Sequence, residues 1–101
     1  MSITDALTSA LSALNAIAER QNVTANNIAN EITPGFKPTE ANISEGVDGG
    51  VKVTLSQNQN SGGVDESREM VNMIINKTGF EANLKTVETS EQISNTIDKL
   101  V

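Results

Sequence analysis

Apolar positions along the chain fall into two long runs with helical spacing, separated by a stretch that alternates. In the first run Ile3, Leu7, Ala10, Leu14, Ile17, Gln21, Thr24 and Ile28 recur by fours and threes, the spacing of a heptad seam. Leu11, Ala18 and Ala25 widen that seam, and Asp5, Thr8, Ser12, Asn15, Glu19, Asn22 and Asn26 form a polar far face. The spacing predicts a helix from residue 3 to about Ala25, with Ser2 as its cap and Asp5 in the capping-box position. The last third, Val64 to Val101, is apolar on two sides. One stripe holds Met70, Met73, Phe80, Leu84, Val87 and Val101; the other holds Val71, Ile75, Thr78, Ala82, Thr86, Thr89, Ile93, Ile97 and Leu100. At about 3.6 residues per turn the two stripes lie roughly opposite each other. A helix over 66–99 with two apolar faces must be sandwiched, so the chain is expected to be organised around it. The N-terminal helix then covers one face and a neighbouring molecule the other. Leu7, Leu14 and Ile28 are expected against Met73, Phe80, Leu84 and Val87 in an antiparallel pair. Val71, Ile75, Ala82, Ile93, Ile97 and Leu100 remain for other subunits.

Between the runs the signals change. Asn26-Asn27-Ile28-Ala29-Asn30 should end the first helix, because Asn is a weak helix former that tolerates the left-handed conformation. Pro34-Gly35 prescribes a turn, with Pro second and Gly at positive φ third. Thr39–Val47 and the alternating Val51, Val53 and Leu55 flank Asp48-Gly49-Gly50, which reads as a β-hairpin. A lone hairpin is marginal in water, so it leans on a helix or joins a neighbour's strands. Ser56–Gly63 is polar and glycine-terminated, a linker, after which Asp65 caps the second helix. Gly79 inside that helix costs about 1 kcal/mol against Ala unless it admits a close partner.

Composition narrows the function. With 101 residues the chain makes one domain, divided as 1–35, 36–63 and 64–101. Phe36 and Phe80 are its only aromatic residues, so the core is aliphatic, which suits helix against helix. The fold class is therefore mainly α: a coiled-coil-like antiparallel pair of long terminal helices with a short hairpin between them. A net charge of -6 with scattered basic residues argues against nucleic acid or an anionic membrane as partner. The absence of Cys and His removes thiolate and imidazole chemistry and the usual zinc sites. Glu66, Glu69, Glu81, Glu88, Glu91 and Asp98 are dispersed and read as solvated helix surface. No catalytic, cofactor or metal site is expected. No apolar run approaches the ~20 residues that span a bilayer, and no cleavable export signal is read at the start.

Two motifs carry a resemblance. Val23 to Lys37, VTANNIANEITPGFK, resembles the N-terminal signature of bacterial flagellar rod and hook proteins, approximately ANNIANxxTPGFK. Its matching positions are Asn26, Asn27, Ile28, Asn30, Thr33, Pro34, Gly35 and Phe36. Val64-Asp65, then Glu69-Met70-Val71-Asn72-Met73-Ile74, then Phe80-Glu81-Ala82-Asn83, is similar to the C-terminal signature of the same family. The resemblance implies terminal helices that pair and stack with those of neighbours in an axial tube. It also implies partnership with itself and with other rod or hook subunits, export through the flagellar type III apparatus, and a place in the basal body. Rod and hook proteins usually carry a sizeable β-rich region between their termini, and here only some 25 to 30 residues separate them. A structural subunit of the rod or its junctions is the first reading; a rod-homologous adaptor, cap or regulator is the second. Two apolar faces and a linker also favour a dimer or small oligomer before assembly, formed by exchange of the C-terminal helix.

Overall fold

A computed structural model describes residues 3–46, 49–59 and 62–100. Ser2 as a cap, Val47 and Asp48 in the hairpin and Val101 in the apolar stripe lie outside the described residues, as does the side chain of Ile3. The chain forms α1 (Ile3–Ala29), β1 (Thr39–Glu45), β2 (Val51–Gln57) and α2 (Glu66–Leu100), in that order. It is mainly helical, with two long helices packed together and a two-stranded antiparallel hairpin between them in sequence.

The helices run antiparallel, as their facing residues show. Near one end Glu31, just after α1, meets Glu66 at the start of α2. Arg20 and Gln21 then meet Asn76, and Ile17 lies over Gly79. Ala10 and Leu14 join Val87 in a buried apolar cluster against which Leu7 packs. At the far end Thr4 and Leu7 share a groove with Ser90 and Ser94, and residues 96–100 run on past the described start of α1.

Within the single chain, the sandwiched element is α1. Both strands pack on α1 and α2 packs on α1, while among the described residues α2 faces β1 across an open groove rather than packing on it. The molecule measures 62 × 25 × 14 Å, so its shortest dimension is little more than the ~10–12 Å of one helix. Among the described residues no element covers the side of α2 away from α1. On α1 the burial follows the seam at Ala10, Leu14, Ile17 and Thr24, with Leu7, Gln21 and Ile28 half-buried. Its widening goes the other way from the sequence reading. Leu11, Ala18 and Ala25 are exposed, whereas Ala16 and Asn27 are buried towards the hairpin side and Ser12 is half-buried there. The reason is that the hairpin needs partners for its main chain as well as apolar cover.

That need can be followed bond by bond. Asn58 N–H donates to the Pro38 carbonyl at 3.0 Å, and Gly46 N–H to that of Gly50 at 2.6 Å. With the register Ala41↔Leu55 and Ile43↔Val53, these bonds leave Thr39 and Val51 pointing their main-chain groups away from the partner strand. Side chains of α1 take both. The Asn27 amide donates to the Thr39 carbonyl at 2.8 Å and accepts from its N–H at 3.0 Å. The Ser12 hydroxyl accepts from Val51 N–H and donates to the Val51 carbonyl, each at 3.0 Å. Ser9 adds a bond to the Gly49 carbonyl at 3.2 Å. A Cβ on Gly50 would stand 2.9 Å from the Ser12 hydroxyl, so glycine there is what lets the hairpin lie this close.

Helix ends follow local chemistry. Past Ala29, Asn30 N–H bonds the carbonyls of Asn26 and Asn27, and its side chain returns to the Asn26 carbonyl at 2.9 Å. No described non-glycine residue has positive φ, so these asparagines close the helix through side-chain bonds rather than a left-handed turn. Pro34-Gly35 forms the turn, with Gly35 at φ 75° and Phe36 N–H on the Thr33 carbonyl at 3.2 Å. Asp65 caps α2 through the Arg68 N–H at 3.1 Å. β2 reaches Gln57, so the first two residues read as linker belong to the sheet.

Gly79 belongs to the helix contact. A Cβ there would meet only Ile17 Cδ1, at 3.4 Å, the movable end of a side chain. Gly79→Ala should therefore raise stability by about 0.5–1 kcal/mol through helix propensity. Thermal unfolding should show a midpoint several degrees higher; a fall would mean that α1 and α2 approach more closely here than the contact allows.

Candidate functional site

Two kinds of surface carry the sequence-predicted residues. The first is the junction at the end of α1, where the asparagine motif divides its labour. Asn27, 1% exposed, holds β1; Asn26 and Asn30 close the helix, with Thr33 bonded to the Asn30 side-chain oxygen at 3.2 Å; Asn22 is exposed. Pro34 and Gly35 are exposed at the turn and Phe36 is half-buried. The motif is thus internal scaffolding that fixes where the hairpin leaves the helix pair.

At the same junction the Glu31 carboxyl holds its proton above the ordinary carboxylate value of 4.5. Loss of hydration comes first, then the Glu66 charge, then a hydrogen bond with Glu66. The folded chain binds this proton more tightly than the unfolded chain does. Its contribution to stability is therefore fully present below 4.5 and is lost as pH rises through Glu31's raised folded value. Melting curves across that interval should decline less for Glu31→Gln than for the natural chain. Equal slopes would show that the two carboxylates do not interact.

The second surface is the exposed flank of α2, which carries an apolar stripe. Val71, Ile75, Ile93, Ile97 and Leu100 are all exposed, Ala82 with them, and Ile74 is 66% exposed. Met70, Glu81 and Ala82 of the second motif also face out, whereas Glu69 is half-buried and Asn83 turns its side chain onto the Gly79 carbonyl at 2.9 Å. Of the residues assigned to the intramolecular seam, Leu14 and Val87 are buried together and Leu7 packs on them. Ile28 and Met73 are half-buried, while Phe80 and Leu84 are 37% and 42% exposed.

Sequence reasoning missed the residues that take their place. Asn76 and Ser90 are buried on the α1 side of α2, and Thr24 on α1. Asn76 accepts a bond from Arg20 Nε and donates to the Gln21 side-chain oxygen at 2.8 Å. It stands on the ridge between two open grooves, of about 370 and 360 Å³. Its only sequence signal was its spacing of eleven from Val87, three turns on the same face. Among the described residues no three Asp or Glu side chains converge as a metal site, and no helix is long and apolar enough to cross a membrane.

Comparison with curated proteins gave no match. Comparison with protein families gave two. The family described as flagella basal body rod protein matches residues 7–37, most of α1 through to the turn. That described as flagellar basal body rod FlgEFG protein C-terminal matches residues 56–100, which include all of α2. The two segments that build the helix pair are thus the two that match these families, and the chain belongs to the flagellar basal-body rod protein family.

Proposed function

We propose that the chain is a structural, non-enzymatic subunit of the flagellar basal-body rod or its junctions, assembling through the exposed apolar stripe of α2. The observation that carries this reading is the run Val71, Ile75, Ala82, Ile93 and Ile97, left open while α1 is covered on two sides. Burying one such isoleucine against a neighbour stabilises the contact by roughly 1.5–3 kcal/mol, and a polymer repeats the gain at every subunit. Partners of matching chemistry are further copies and other rod or hook subunits, with export through the flagellar type III apparatus and a final place in the basal body. Before assembly the same face favours a dimer or small oligomer, which sedimentation at rising concentration would reveal.

A second reading, an adaptor or cap that binds rod or hook subunits without entering the tube, is favoured by the shortness of the middle region. Among the described residues the hairpin, Thr39–Gln57, is the one regular element between the two helices. The deciding experiment locates a tagged chain in cell fractions. Recovery in isolated basal bodies at several copies supports the subunit; recovery only in soluble fractions supports the adaptor.

A further inference from the structure

The packing of α2 contains a contradiction that hydrophobicity alone does not permit. Its α1-facing side presents Asn76 and Ser90 buried and Gly79 and Asn83 half-buried, with Val87 its one buried aliphatic residue. Phe80 and Leu84 stand just beside that contact and stay exposed. On a helical wheel with about 100° per residue, a roll of roughly 60° about the axis of α2 would bring Phe80 and Leu84 onto α1 and turn Ser90 out. Space for the roll exists: the groove of about 360 Å³ beside Phe80 is lined by Ile17 and Ala18 of α1. What opposes it is the polar cluster. Asn76, 1% exposed, has its amide oxygen held by Arg20 and its amide nitrogen by Gln21, and a roll would break both bonds.

We propose that Arg20, Gln21 and Asn76 form a latch that holds α2 in one of two rotational settings on α1. In the latched setting, the one described above, the small and polar side of α2 faces inward. In the released setting Met73, Phe80 and Leu84 pack on α1 with Val87 as pivot. The Ile75–Ile93–Ile97 stripe then moves from the flank of the helix pair to the side diametrically away from α1. That geometry suits a helix held between its own partner and a neighbour, so release would prepare the assembly face. The last link rests on the proposed function; the roll itself is a property of the single chain and is tested without any assembly.

The chain contains no cysteine, so single thiols report on each face without background. Ser90→Cys and Leu84→Cys are made separately, and each is combined with Asn76→Ala, which removes the latch without adding an apolar side chain. With the latch intact, a thiol reagent should modify the Leu84→Cys chain quickly and the Ser90→Cys chain slowly. With Asn76→Ala the order should reverse, each rate changing about tenfold, while Val87→Cys stays slow in both backgrounds. Rates unchanged by Asn76→Ala overturn the proposal. If Asn76→Ala does not fold, Gln21→Ala at a half-exposed position repeats the test. Should that chain also unfold, the cluster holds the helices together rather than choosing their setting, and the proposal fails.

Discussion

Leu14→Asp is expected to unfold the helix pair. Leu14 lies buried with Ala10 and Val87 in an apolar cluster where α1 meets α2. Truncating a buried leucine alone costs about 2–5 kcal/mol, and a carboxylate placed there without a partner costs more. Single domains of ordinary size have only about 5–15 kcal/mol in total, and this thin molecule buries few large side chains. Circular dichroism should show most of the helical signal lost. Leu11→Asp is the matched control, because Leu11 is 46% exposed and its replacement should leave the signal intact. Unfolding by both, or by neither, would contradict the seam described here.

Much of this architecture follows from local rules that act on a few residues each. The four-three spacing of Leu7, Ala10, Leu14 and Ile17, the Pro34-Gly35 turn, the Asp65 cap and the alternation of Val51 and Val53 all have local causes. They were therefore legible before any contact was known. The resemblance at Asn26–Phe36 and Glu69–Asn83 likewise identified the family from residues that no packing rule demands.

What was not legible depends on contacts between elements. Ser12 read as surface because a hydroxyl is polar, yet it completes the hydrogen bonds of Val51. Asn27 read as a helix terminator, and instead it serves as a one-residue strand beside Thr39. On α2 the apolar stripe through Met73, Phe80, Leu84 and Val87 pointed to one rotational setting. The buried bonds of Asn76 belong to another, displaced by less than one residue's rotation. Hydrophobic periodicity measures which side chains avoid water; it carries no term for a buried amide whose bonds are all made. Within the single chain the hairpin's need for main-chain partners makes α1 the centre, which the apolar stripes of α2 did not signal.

If the open stripe of α2 is the assembly surface proposed above, folding and assembly separate on this helix, and two substitutions on it should divide accordingly. Val87 is buried against α1, so Val87→Lys places an ammonium in the apolar cluster and should damage the fold first. Ile93 is 46% exposed in the single chain, so Ile93→Lys removes no contact that the fold depends on. Surface changes of this kind usually stay within about 0.5 kcal/mol of neutral. In an assembled rod the same lysine would sit between apolar helix faces in every subunit. The most direct test is incorporation of the Ile93→Lys chain into isolated basal bodies, measured beside its circular dichroism. The expected result is a fully helical, soluble protein that is absent from basal bodies; a helical Ile93→Lys chain incorporated as well as the natural one would contradict the assignment of this face to assembly.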